Sequence, residues 1–99
     1  MALLHIALQE GFFGDTVVVR VNGDEVFRKK DVKTRLQIGF ADSVELNVAE
    51  GPTQVEVLLP AKNLSESVQL DVSAPTYVGV SVVDGKITFR ISDVPFGYL

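Results

Sequence analysis

Five of the nine Lys and Arg residues of this 99-residue chain, Arg28, Lys29, Lys30, Lys33 and Arg35, fall within one short stretch, although the formal net charge is −4. Arginine offers a bidentate fork and lysine a point charge, so such a run could hold a phosphate, a sulfated sugar or an acidic partner. The competing reading is a solvated connection and edge strand, whose lysines block sheet-to-sheet aggregation. An anionic small molecule is therefore one expected ligand class, at Arg28–Arg35.

Aromatic side chains form the second candidate group. Phe12 and Phe13 lie in one loop, and Phe96 and Tyr98 lie in the tail. Exposed, they would serve recognition. Buried, they would plug the open end of a β domain, since rings of this size dominate core energetics. The third candidate is an apolar surplus on one hairpin. With a two-residue Asn22-Gly23 turn, Arg20 faces Glu25, Val19 faces Val26 and Val18 faces Phe27. Val18 and Phe27 then share a face opposite to Val19, and together with Leu58 and Val83 they form an expected interaction patch.

Other chemistry finds little footing. Asp15, Asp42, Asp71, Asp84 and Asp93 sit near predicted turns, but aspartate is an ordinary turn residue and no calcium-loop spacing is present, so no metal is expected. There is no cysteine, which removes disulfides, thiolate metal sites and a cysteine nucleophile. The single histidine, His5, lies in a predicted strand beside no nucleophile motif. Gly11 to Gly14 lacks the lysine and helix of a phosphate loop. Asn63-Leu64-Ser65 is a formal glycosylation sequon, meaningful only in a secreted eukaryotic setting. The negative charge argues against nucleic-acid binding. The expectation is a non-catalytic protein without a cofactor.

These side chains must be positioned by strands. Asn22-Gly23 and Asp84-Gly85 are strong hairpin signals, because a type I′ turn needs positive φ at both central residues. Apolar residues recur with period two along most of the chain: Leu4, Ile6 and Leu8; Val44, Leu46 and Val48; Val55, Val57 and Leu59; Val68, Leu70 and Val72. Leu36 and Ile38 read as a further short strand facing inward. Pro60 ends the strand before it, and residues 61–66 read as a loop with one helical turn. Around Asp84-Gly85, Val82 faces Ile87, Val80 faces Phe89 and Val78 faces Ile91, all six on one face, while Ser81 faces Thr88 on the other.

The fold expected is all-β, an antiparallel β-sandwich of seven to nine strands in a single domain spanning residues 1–99. The strand spacing resembles that of immunoglobulin-like and fibronectin-type sandwiches, and Pro75-Thr76-Tyr77-Val78-Gly79-Val80 is similar to the tyrosine-bearing segment of fibronectin-type modules. The cysteine pair and tryptophan of antibody domains are missing. The expected core takes Ile6, Leu8, Val19, Leu36, Ile38, Val44, Leu46, Val48, Val55, Val57, Leu59, Val68, Leu70, Val72, Val78, Val80, Val82, Ile87, Phe89 and Ile91.

The apolar N-terminal stretch lacks a basic start and is broken by His5, so it reads as a strand rather than a signal peptide, and points to the cytoplasm without fixing the compartment. The leading functional expectation is a protein–protein interaction or assembly module, homodimeric or with another partner, using Val18, Phe27, Phe12 and Phe13 or an open edge strand. A module for an anion or carbohydrate is the alternative. An enzyme with an unrecognised carboxylate pair is the third.

Overall fold

Four residues in the two hairpin turns set the geometry: Asn22 and Gly23 at φ 51° and 85°, Asp84 and Gly85 at φ 52° and 73°. Both pairs are the left-handed dipeptides that a type I′ turn requires. The structure, a computed structural model, describes residues 1–97. Eight strands run β1 (Ala2–Leu8), β2 (Phe13–Val21), β3 (Asp24–Lys33), β4 (Asp42–Val48), β5 (Gly51–Leu59), β6 (Leu64–Val72), β7 (Thr76–Val83) and β8 (Lys86–Ser92). They form two four-stranded sheets in the orders β4-β1-β7-β8 and β3-β2-β5-β6. The β-sandwich is thus present. Its first two strands lie in different sheets, whereas those of constant-type immunoglobulin domains share one.

Alternation turns one side of each strand into the shared core. Leu4, Ile6, Leu8, Val78 and Val80 come from the first sheet, and Val17, Val19, Val21, Val55, Val57, Leu59 and Val72 from the second. β1 runs parallel to β7 and antiparallel to β4, the one parallel pairing in an otherwise antiparallel sandwich. Pro60 ends β5 as expected, and a 3-10 turn, Pro60–Lys62, leads into β6 through Asn63 in the left-handed region.

The last hairpin has the predicted register throughout. The first does not. Val21↔Asp24 and Arg20↔Glu25 hold, but a bulge at Val26 then shifts the pairing to Val19↔Phe27 and Val18↔Arg28. Val26 and Phe27 both pack against the core, and Phe27 no longer shares a face with Val18. The expected Val18/Phe27 patch is therefore absent. Val18 is itself buried on the outer side of its sheet, between its register neighbours Arg28 and Leu58, whose longer side chains flank it.

Three core expectations are corrected. Leu36 is 78% exposed and Ile91 48% exposed, and Leu36 and Ile38 lie in no strand. Residues 36–39 form a turn closed by an Arg35↔Phe40 bridge, with Gly39 at φ 66° donating its N–H to the Arg35 carbonyl at 2.8 Å. Two alternating residues bury too little to override that turn. Ile91 sits near the end of β8, an edge strand with no further strand beside it in its sheet. No helix among the described residues is long and apolar enough to cross a membrane.

Candidate functional site: a free strand edge and a polar cleft

The basic run lies on β3, an edge strand, and the backbone there disperses it. Lys29 is the register partner of inward-facing Val17, and its ammonium crosses the open side of the sandwich to Asp42 on β4, Nζ to Oδ2 at 2.6 Å. Arg28 faces the other way and forks onto Glu25 through Nε at 3.1 Å and Nη2 at 2.8 Å. Asp31, at φ 55°, sits in a second register shift that separates Lys30 from Lys33. Lys33 follows opposite Phe13, and Arg35 begins the next turn. Two of the five cations, Arg28 and Lys29, already hold carboxylates, and Arg35 adds its charge to that of Lys29 near Asp42.

Burial pushes the Asp42 carboxyl up, but the Lys29 ammonium and a hydrogen bond from the Ser43 N–H outweigh it and hold the carboxyl below the usual aspartate range. The sign follows. A depressed folded value adds stability that is present above about pH 4, near the unfolded value, and lost as pH falls through the folded one. Lys29 is more than half exposed, so the effect is screened. Asp42→Asn is expected to cost about 0.5–1 kcal/mol at pH 7 and almost nothing at pH 2. Urea unfolding midpoints at the two pH values test this, and an equal loss at both would show that the sheet-to-sheet ion pair contributes nothing.

The aromatic candidates separate. Phe12 is fully buried: its N–H donates to Thr34 Oγ1 at 3.0 Å, and its carbonyl accepts the Thr34 N–H at 2.7 Å. It is a core plug, not an interface residue. Phe13, one position on, is 70% exposed. Phe96 lies under the Arg90 guanidinium, 4.7 Å from the ring centroid, and Tyr98 lies outside the described residues. His5 bonds Glu45 Oε1 through Nδ1 at 2.8 Å and tilts against the Tyr77 ring at 5.7 Å. No hydroxyl is hydrogen-bonded to this pair among the described residues. Asp15 is buried, accepts the Phe13 N–H and bridges to Lys62 at 2.9 Å. No cluster of His, Asp and Glu that could hold a metal occurs among the described residues.

Two features were not foreseen from the residues. The first is the edge at β6. The sandwich has four edge strands, β3, β4, β6 and β8. β3 carries Lys and Arg and three register shifts. β4 carries Asp42 and Glu45, with Lys29 drawn across its edge. β8 carries Lys86 and Arg90. β6 carries two carboxylates, Glu66 and Asp71, as β4 does, but no basic side chain and no bulge. Its nine residues, LSESVQLDV, contain no Lys, Arg or Pro and pair with β5 over nine positions without a shift. The lack of basic residues and proline between residues 64 and 72 was readable, but that this strand is an edge was not.

The second is a cleft of about 330 Å³ on the outer face of the β7–β8 hairpin, framed by the β1–β2 connection, the 36–39 turn and the tail. Ser81 pairs with Thr88 on its floor, and Gly79 with Arg90. The Gln9 side chain lies directly over Gly79, where a Cβ would come within 2.5 Å of Oε1.

Comparison with known proteins leaves the residues to speak for themselves: no family model, curated protein or solved structure matches the chain. The chemistry must accordingly be argued from these two places alone.

Proposed function

We propose that this protein is a non-catalytic assembly module that joins a second copy of itself by pairing β6 with β6. The observation that supports this reading is the nine-residue, shift-free β6 edge, which carries no basic side chain, beside edges that are basic, bulged or two residues shorter. An exposed edge offers a row of unpaired backbone N–H and C=O groups, and strand addition satisfies them.

The register favours a copy of the same strand. A two-fold axis at Val68 makes an antiparallel pair over the full strand. Val68 then faces its own counterpart, Ser67 faces Gln69, Glu66 faces Leu70, Ser65 faces Asp71 and Leu64 faces Val72. No like charges face one another, although the strand carries two carboxylates. Half-buried Leu64 and Val68, already packed against the core, would gain apolar facing neighbours from the partner, whereas Leu70 would face Glu66. An anion site at Arg28–Arg35 finds less support, because strand alternation and the carboxylates of Glu25 and Asp42 divide that run.

The experiment is sedimentation equilibrium of the wild type and a Ser67→Lys/Gln69→Lys double variant. Both positions point away from the core and are exposed in the single copy, but in the pair each lysine would face a lysine. The wild type is expected at twice the 10.8 kDa chain mass and the double variant at the chain mass with an unchanged melting temperature. A wild type that stays at the chain mass up to millimolar concentration, or a double variant that still pairs, overturns the reading.

A further inference from the structure

The β7–β8 cleft holds one carboxylate, Glu10, and one guanidinium, Arg90, and neither forms an ion pair among the described residues. Each is anchored at one point. Glu10 is fixed through its backbone, its N–H donating to Ser81 Oγ at 3.3 Å and its carbonyl accepting the Val82 N–H at 2.8 Å. Its Oε1 rests against Gly39, 3.4 Å from where a Cβ would be. Arg90 is propped on the Phe96 ring, which leaves its N–H groups open to an acceptor.

An exposed carboxylate and an exposed guanidinium lining one cleft favour a ligand with both signs. A simple anion would meet Glu10, and a simple cation would meet Arg90, each a repulsion in a confined space. A volume of about 330 Å³ is at the small end for ligand sites. Ile38, Val83 and Phe96 add apolar surface to the lining. We infer that this cleft binds a free α-amino acid with an apolar side chain, its carboxylate on Arg90 and its ammonium on Glu10. The inference does not rest on the assembly reading, because the lining comes from β7, β8 and the segments over them and includes no residue of β6.

The test is a titration of the ¹⁵N-labelled protein with L-leucine, N-acetyl-leucine, leucinamide and glucose, followed by amide chemical shifts. Leucine is expected to give saturable shifts at Glu10, Gly39, Ser81 and Arg90. N-acetyl-leucine lacks the ammonium and leucinamide the carboxylate, so each should bind roughly ten- to hundred-fold more weakly, the worth of one charged contact. Glu10→Gln should remove the preference for leucine over N-acetyl-leucine and leave shifts in β5 and β6 unchanged. Absence of saturable shifts, shifts confined to another surface, equal binding of leucine and its blocked forms, or an equal response to glucose overturns the inference.

Discussion

Val80→Asp is expected to leave the protein unfolded at 25 °C. Val80 is fully buried, pairs with Leu8 in β1 and Phe89 in β8, and gives its carbonyl to the Gln9 N–H at 2.7 Å. Among the described residues the buried polar ones are Gln9, Asp15 and Thr53, none of them a cation that could partner a new carboxylate. An ionised aspartate there loses its hydration, and a neutral one still leaves a carboxyl unsatisfied, so the cost is about 4 kcal/mol or more. Domains of this size have about 5–15 kcal/mol in all. Val83→Asp, on the same strand but half-exposed, is expected to stay within about 0.5 kcal/mol of wild type. Circular dichroism and amide shift dispersion on both variants decide the matter. A cooperative melt for Val80→Asp near that of wild type would mean that the face assignment of β7 is wrong.

Gly11→Ala carries the second-largest effect, for a different reason. Gly11 stands where the chain leaves one sheet for the other, at φ 89°, and a Cβ there would lie 2.0 Å from the Val82 carbonyl oxygen. That oxygen belongs to main chain tied to the same connection by the Val82 N–H to Glu10 carbonyl bond, so it cannot withdraw without breaking the tie. Gly23→Ala is the control. Its φ is 85°, but nothing lies within 4 Å of its Cβ position, so it isolates the conformational cost of about 1–2 kcal/mol. Gly11→Ala should cost about 3 kcal/mol or more, the strain plus the broken docking of the β1–β2 connection. Equal losses in urea unfolding for the two variants would show that the connection does not press on β7. The same substitution should dissolve the cleft, whose Glu10 wall is the residue before Gly11.

The first hairpin shows where local reasoning stops. Its turn and first two pairs were legible in Asn22-Gly23, because positive φ at both positions is a property of the dipeptide itself. The bulge at Val26 was not. An extra residue is favoured only when the second sheet is there to receive both Val26 and Phe27, and that surface is built by strands far along the chain. The basic run illustrates the same limit. Its charges are plain in the sequence, but their directions follow from register shifts, and Lys29 finds Asp42 only because β3 and β4 border the same open side. Phe12 and Phe13 are identical and adjacent, and one is buried while the other is not, since successive residues of an extended chain point to opposite sides.

By itself the sequence determined that the protein is all-β, where its two tight turns lie, the register of β7 with β8, and most of the residues that line the core. Those follow from period-two alternation and from dihedral preferences, which act between near neighbours. Only the tertiary structure decided that β1 lies parallel to β7 and that β6 is an edge. It alone placed Glu10 and Arg90, eighty positions apart, on one cleft. Edges and clefts are made by which strands become neighbours, and that choice depends on the burial of all the strands together rather than on any one of them.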